Sequence, residues 1–378
     1  MKKNIYLMYA ISLLQGMVFY GSISTLYRQA NGLSIFQITL IEGISLLLTL
    51  ILEFPWGVIA DKIGYRNTMI VCNLLYFVSK IIFWQADGFY DFLLERVLLA
   101  VICAGLSGVD SSILYLSCEK GKSQLVFSIH DNLGMIGLLF AAGVYSLLPA
   151  DNYSLSGLLT VISYGIAMLL SFCLAEVKEA EGHKPFQIQE GFTILKETFF
   201  NPKLLFLILS VALITETHHT ITVFLNQLQY TSIGMTSQSI SVVYMIVTLS
   251  SLLGIFSTRG TKILGLKTFG KLLLLFCFVA CLILTFTKSA LLSFASILLL
   301  NICFSLFQPL QEEQQNEAIN TSNRATALSI HSVIIDSMSV FITMVLGKIA
   351  DVHISGAFGI GTMLCLVALI LFSCHFSD

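Results

Sequence analysis

Residues 52–67 read LEFPWGVIADKIGYRN, and this stretch joins an apolar run to a dense group of charges. Its left half continues a long apolar segment that contains Pro55. Its right half holds an acid, two bases and two glycines within the ten residues from Gly57 to Arg66. A membrane helix that ends in a short polar turn has this pattern, because charged groups are expensive inside the hydrocarbon.

The composition of the whole chain agrees with a membrane protein. Of its 378 residues, 56% are hydrophobic and 11% are charged, and the mean hydropathy is +0.87. Soluble domains carry about 25% charged residues, so this chain has too few charges to cover a water-facing surface. The net charge of −2 and the lack of a basic patch give no basis for a nucleic-acid partner. The nine cysteines form no CxxC pair and are interpreted as small buried hydrophobes.

Twelve apolar runs are long enough to cross a bilayer, which takes about 20 helical residues. The first follows two lysines but is too long for a signal peptide and lacks a small-residue cleavage site. The predicted spans are residues 4–26, 35–60, 67–86, 90–118, 124–148, 153–175, 202–229, 238–257, 267–287, 290–312, 325–347 and 356–376. The fold class is therefore an all-α membrane protein.

The longest polar interruption lies between spans six and seven and divides the spans equally. It predicts an N-terminal six-helix bundle (1–175), a cytoplasmic linker (176–201) and a C-terminal six-helix bundle (202–378). Lysine and arginine favour one side of this topology by about three to one, as the positive-inside rule expects, which places both termini in the cytoplasm. The cations outside that set are Arg28, Lys80, Arg96, Lys288 and Lys348.

The segment from Gly57 to Arg66 resembles the loop signature of the major facilitator superfamily between spans two and three. Its matching residues are Gly57, Asp61, Gly64 and Arg66. The Glu-x-Pro-x-Gly pattern that ends span two and RATALS at 324–329 are similar to elements of a bacterial, drug-efflux-like branch of that family. Arg96 with VLLAVICAGLSG resembles the family's span-four arginine motif, whereas span five reads GMIGLLFAAG without the proline typical of drug–proton antiporters.

The resemblance implies that the loop between spans two and three is a conformational latch. Asp61 is expected to lie against the positive N-terminal end of span eleven. Gly57 and Gly64 permit close helix approach and a tight turn. Arg66 is expected to pair with Asp110 near the end of span four. The alternative is a passive topology anchor that only supplies positive charge inside.

Span seven carries an acid near the middle of the membrane. At about 100° per residue, Glu216, Thr220 and Gln227 fall on one stripe of the helix, and His219 and Asn226 flank it. A carboxylate there is held protonated unless water or a cation reaches it, which makes Glu216 a candidate proton carrier. The alternative is a satisfied structural hydrogen-bond cluster.

Other spans also present one polar face. Because polar faces turned to lipid are costly, they are predicted to line a shared water-accessible cavity near the midplane. Arg96 needs an acidic partner, for which Glu42 or Glu95 can serve. The further proton-coupling candidates are Asp336, Glu42, Glu53 and Arg96, and the further cavity candidates are Gln15, Asn301 and Gln308.

No nucleotide-binding, hydrolytic or metal-ligand motif is visible, so an enzyme, a cofactor and a metal are not expected. The leading prediction is a monomeric multi-pass transporter of the plasma membrane that works by alternating access. It is predicted to export drug-like or amphipathic small molecules in exchange for protons. The alternative is proton-coupled uptake of a small polar solute, which the missing span-five proline and the polar stripes favour. A receptor or an intramembrane enzyme is the third class, and no paired acid and nucleophile supports it.

Overall fold

The computed structural model describes residues 2–119, 123–149, 151–177, 201–317 and 324–376, and within these ranges it contains helices and no β-strand. The α-helices are α1 (Lys2–Gly16), α2 (Ser24–Ala30), α3 (Ile35–Ile63), α4 (Tyr65–Gln85), α5 (Phe89–Leu106), α6 (Val109–Ser117), α7 (Ser123–Leu147), α8 (Tyr153–Ser171), α9 (Pro202–His219), α10 (Asn226–Ser232), α11 (Ser237–Ser250), α12 (Ser257–Leu264), α13 (Leu266–Phe286), α14 (Ala290–Glu317), α15 (Arg324–Val352) and α16 (Ile354–His375). A π-helix at Thr220–Leu225 joins α9 to α10, and 3₁₀ turns lie at Gly21–Ile23 and Ser251–Phe256.

Twelve of the resulting helical segments are long and apolar enough to cross a membrane. The predicted fold class and the number of spans are therefore confirmed. Helices are the expected solution, because every backbone N–H and C=O group in lipid must be bonded within the protein. Pro55 and Pro309 lie inside α3 and α14 without ending them.

The chain reverses between α3 and α4 at a single residue. The sequence predicts a short turn over KIGYRN, but α3 runs to Ile63 and α4 begins at Tyr65, so only Gly64 lies outside the two helices. Gly64 adopts φ +86°, which side chains with a Cβ rarely allow. A Cβ there would also lie 3.0 Å from the carboxylate of Glu176. The predicted tight turn at Gly64 is present.

Contacts divide the chain into two compact units. The first unit holds 1–33, 44–183 and 236–245, and the second holds 34–43, 184–235 and 246–378. Two helices, α3 and α11, are therefore each divided between the units. The simpler division at 1–175 and 202–378 stays a prediction, and most of the predicted linker, 178–200, lies outside the described residues.

Within the first unit, α1 packs against α7 and α8, and α4 packs against α5 and α8. The α1–α7 contact is made backbone to backbone. A Cβ added at Gly16 would overlap the carbonyl of Gly134, and one added at Gly137 would overlap the carbonyl of Leu13. Small residues permit this approach between membrane helices, where van der Waals contact drives association.

Within the second unit, α13 packs against α14 and α16, and α9 packs against α15 and α16. Ser210 on α9 donates a hydrogen bond of 2.8 Å to the carbonyl of Ala368 on α16. This packing fixes the position of α9, which continues into the π-helix and carries the acid of span seven.

Candidate functional site

A buried acid lies among three cations in the first unit. Glu95 on α5 is 1% exposed, and its carboxylate lies 3.7 Å from Arg96 Nε and 3.8 Å from Lys80 Nζ. The carboxylate also lies 4.0 Å from Arg28 Nη2. Arg28 and Lys80 are themselves almost fully buried. All of these separations are ion-pair distances rather than short hydrogen bonds, so Glu95 acts as a shared counter-ion.

Aromatic rings complete the surroundings of two of these cations. Lys80 Nζ lies over the ring of Tyr164 at 5.0 Å and over those of Tyr76 and Tyr20 at 5.8 and 5.9 Å. Arg28 lies 5.4 Å above the ring of Phe83, which in turn stacks on Tyr20 with centroids 3.8 Å apart. The negative ring faces offset part of the cost of removing the two cations from water.

Gln15 belongs to the polar part of the same unit. Its amide donates a 2.8 Å hydrogen bond to Asn73 Oδ1, and its backbone carbonyl accepts a 2.7 Å bond from the Tyr164 hydroxyl. From the sequence, Gln15 and Arg96 were named as site candidates, Arg28 and Lys80 were counted only in the topology, and Asn73 was not considered. The signal was available, because Lys80 lies inside an apolar run and a charge there is a functional candidate by default.

The second unit places the acid of span seven in a hydroxyl network. Glu216 is 3% exposed, and its Oε1 accepts a 2.7 Å hydrogen bond from the Thr220 hydroxyl. That hydroxyl lies 2.9 Å from the hydroxyl of Thr343 on α15. His219 Nδ1 lies 3.7 Å from the same carboxylate oxygen, and its side chain is 40% exposed. The predicted proximity of Glu216, Thr220 and His219 is therefore present in the structure.

The other two residues predicted near Glu216, Asn226 and Gln227, lie beyond a π-helix. The π-helix starts at Thr220, and its i→i+5 bonds shift the helical phase of every residue that follows. Gln227 Nε2 donates to the carbonyl of Val223 at 3.0 Å, and Asn226 Oδ1 accepts from the backbone N–H of Gln227 at 2.7 Å. The straight-helix construction assumed 3.6 residues per turn throughout, so the placement of Gln227 on the face of Glu216 stays a prediction.

A second polar node forms around Asn301 on α14. Its Nδ2 donates hydrogen bonds to the carbonyl of Val247 at 2.8 Å and to the hydroxyls of Ser250 and Ser251 at 3.0 Å. Asn301 Oδ1 lies 3.0 Å from His218 Nε2. The carbonyl of Val247 can only accept, so the atom beside it is the amide nitrogen, and Oδ1 is the acceptor that faces His218 Nε2, which therefore carries the proton. The His218 ring also stacks on Phe304, with centroids 4.0 Å apart.

Arg66, just after the turn between α3 and α4, contacts backbone carbonyls rather than the expected partner Asp110. Arg66 Nε donates to the carbonyl of Leu174 at 2.5 Å and Nη2 donates to that of Phe172 at 3.1 Å. The expected Arg66–Asp110 ion pair is not among those of the described residues, and Asp110 Oδ1 is buried without a hydrogen bond there. Arg66 goes instead to the carbonyls that follow α8, because the end of a helix leaves acceptors that attract a cation.

The remaining candidates are spread over the two units. A Cβ added at Gly57 would meet no described atom within 4 Å, so close helix approach is not observed at this glycine among the residues that the structure describes. Asp61 lies in the last turn of α3, and its side chain is outside the part of the structure that is described. Glu53 accepts a 2.7 Å bond from Ser107, and the exposed Gln308 donates to Glu312 at 3.3 Å.

Glu42 on α3 and Asp336 on α15 are both partly buried and belong to the second unit. Among the described residues, no group of three or more histidine, cysteine, aspartate or glutamate side chains is arranged to hold a metal ion.

Comparisons with known proteins match this architecture. The model of a family described as Major Facilitator Superfamily matches residues 5–343. The crystal structure of the nucleoside transporter NupG is similar with a TM-score of 0.81 and 15% identity, over 99% of each chain. A bacterial homolog of the human lysosomal transporter Spinster has a TM-score of 0.70 and 15% identity, over 98% of this chain and 93% of that one.

A D-xylose–proton symporter has a TM-score of 0.69 and 13% identity, over 98% of this chain and 97% of that one. At these identities the likeness shows the fold alone. No curated protein matches the chain significantly.

Proposed function

The chain belongs to the Major Facilitator Superfamily, and on that premise we propose that it is a proton-coupled secondary transporter that takes up a small polar solute by alternating access. In this proposal residues 1–175 rock against residues 202–378 about a midplane cavity. Both termini face the cytoplasm, and the monomer is the working unit in the plasma membrane.

The observation that carries the proposal is the environment of Glu216. Its carboxylate is almost fully buried in a span, and it is bonded to the neutral hydroxyl of Thr220. The more exposed imidazole of His219 lies 3.7 Å away, within reach of a proton relay through one small rearrangement. A buried acid that is bonded to a neutral hydroxyl and lies near a more exposed imidazole can take up and release a proton as water access changes.

Uptake of a polar solute is supported by the kind of groups in the polar cluster of each unit. Amide and imidazole groups, namely Gln15, Asn73, Asn301 and His218, favour a substrate that forms directed hydrogen bonds. Span five also lacks the proline typical of drug–proton antiporters. Solved structures of similar fold include a nucleoside transporter and a D-xylose–proton symporter. Proton-driven efflux of drug-like molecules is the second candidate, favoured by the resemblance of RATALS and the span-two ending to an efflux branch.

The loop after α3 is proposed as the latch of the cytoplasmic side. Gly64 makes the turn with φ +86°, and Asp61 lies within the last turn of α3. The contacts of Arg66 with the carbonyls of Leu174 and Phe172 hold α4 against the end of α8. Arg66 thereby makes the turn rigid within the first unit, while Asp61 is the residue proposed to bind and release a partner helix.

The test is solute-dependent proton movement in proteoliposomes that contain a pH-sensitive dye. A panel of radiolabelled nucleosides and sugars is compared with a panel of cationic dyes. We expect a polar solute added outside to acidify the lumen when it enters with protons. Glu216→Gln is expected to abolish accumulation driven by a pH gradient while it preserves solute exchange, because the neutral amide cannot release a proton. Asp87→Asn is the control, since Asp87 is an exposed acid in the loop after α4 and is not a proton-coupling candidate.

Uptake that moves no protons, or a Glu216→Gln variant with unchanged gradient-driven accumulation, contradicts the assignment of Glu216. Dye export that collapses with the proton gradient, without transport of any polar solute, supports the efflux candidate instead.

A further inference from the structure

The aspartate near the end of α15 binds the beginning of α3. Asp351 Oδ1 accepts a 2.6 Å hydrogen bond from the backbone N–H of Ile35, and Oδ2 accepts a 3.0 Å bond from that of Phe36. The first N–H groups of a helix have no partner within the helix and carry the positive end of its dipole. A carboxylate that bridges two of them is therefore a charge-assisted cap supplied by another helix.

The same two helices pack closely behind this cap. A Cβ added at Gly347 on α15 would overlap the side chain of Thr39, which is fully buried. One added at Gly43 on α3 would lie 3.3 Å from Val340 and 3.5 Å from the sulfur of Met344. Two glycines, one on each helix, thus allow the contact that Asp351 closes.

The segment that makes this contact repeats the pattern found at the other end of α3. Residues 347–351 read GKIAD and residues 57–61 read GVIAD, so Gly, Ile, Ala and Asp recur at the same spacing. Each aspartate lies in the last turn of its helix, α15 for Asp351 and α3 for Asp61. Ile35 and Asp61 are separated by about 39 Å along α3, at 1.5 Å per residue. Asp351 therefore contacts the beginning of α3, and Asp61 lies near the end of the same helix.

This contact lies in the part of α3 that does not belong to the first unit. Residues 34–43, which include the capped end, belong to the second unit, whereas the rest of α3 belongs to the first. A helix that is held at one end by α15 cannot follow the rest of the first unit unless that end is released.

We propose that Asp351, with Gly347, is a second latch of the transport cycle. It holds the beginning of α3 on α15 in the state seen here and releases it when the opposite end is closed through Asp61. The inference rests on the proposed alternating access, and its test needs neither the substrate nor proton coupling.

The test uses the full-length protein in nanodiscs and two measurements that require no ligand. Hydrogen–deuterium exchange of peptides from 33–43 reports the amides of Ile35 and Phe36. The rate at which a membrane-impermeant maleimide modifies a Thr39→Cys reporter, a change of similar side-chain size at a fully buried residue that lies against Gly347, is read by mass spectrometry of that peptide and reports separation of α3 from α15. Asp351→Ala and Asp351→Asn are compared with Asp87→Ala, an exposed acid in the loop after α4.

We expect Asp351→Ala to raise exchange at the two amides by about tenfold, since they lose the carboxylate that accepts their hydrogen bonds, and to raise maleimide labelling several-fold. Asp351→Asn keeps one acceptor oxygen and should lie between, and Asp87→Ala should match the parent. Faster exchange with unchanged labelling makes Asp351 a local cap and overturns the latch. Unchanged exchange in Asp351→Ala overturns the contact itself. Loss of proton coupling in Glu216→Gln alters neither measurement, so the two proposals fail separately.

Discussion

Replacing Glu95 by glutamine removes the shared counter-ion of three cations while it keeps the size of the side chain. At an effective dielectric constant of about 20, each unit charge at 3.7–4.0 Å from the carboxylate contributes about 4 kcal/mol of attraction. The glutamine also relieves the cost of burying one charge, so these attractions are not lost in full. Removing one partner of a buried pair costs about 3–5 kcal/mol in practice, and we expect a loss of that size in the free energy of unfolding.

The assay is thermal unfolding of the purified protein in detergent, followed by circular dichroism. For a chain of this length the expected loss lowers Tm by about 5 °C. Glu53→Gln is the control and should change Tm little, because Glu53 is exposed and bonded to one hydroxyl. Adding Lys80→Met to Glu95→Gln should recover part of the loss, since it removes one of the uncompensated buried cations.

A Glu95→Gln variant with the same Tm as the wild-type protein refutes the counter-ion role of Glu95. The same conclusion follows if the effects of Lys80→Met and Glu95→Gln on unfolding simply add, because coupled charges must show an interaction energy.

The remaining predictions concern a turn and a hydrogen-bond node. Gly64→Ala should destabilise the protein by about 1–2 kcal/mol, because a residue with a Cβ is strained at φ +86°. Thermal unfolding measures this, and Gly57→Ala is the matched control, because a Cβ there meets no atom of the described residues within 4 Å. Asn301→Leu should cost about 1–3 kcal/mol by leaving buried acceptors and His218 without their amide partner, and a melting temperature equal to that of the wild type would show that water replaces the amide.

Much of the fold could be predicted because the bilayer imposes a simple rule on the sequence. Apolar runs of helical length indicate spans, and the tight turn at Gly64 follows from a glycine between two such runs. The pairing of Glu216 with Thr220 was also predictable, since residues four apart lie on one face of a helix. The placement of Gln227 assumed 3.6 residues per turn, and no local sequence pattern indicated the π-helix at Thr220–Leu225 that lies between Glu216 and Gln227.

Contacts between helices that are distant in sequence were the main feature that the sequence did not predict. Lys80 and Arg28 are brought to Glu95 by the packing of α2, α4 and α5, and no local spacing links them. Arg66 meets Leu174 rather than Asp110 for the same reason, since the end of α8 supplies acceptors that only the folded unit brings close.

The sequence by itself determined an all-helical membrane protein of twelve spans, the tight turn at Gly64 and the acid of span seven. These features follow from local properties, namely the length of apolar runs, the freedom of glycine and the helical period. Only the tertiary structure decided which charges share Glu95, where the helical phase shifts, and that Asp351 caps α3. Each of these depends on pairs of residues far apart in the chain, and hydrophobic periodicity carries no information about which helix becomes the neighbour of which.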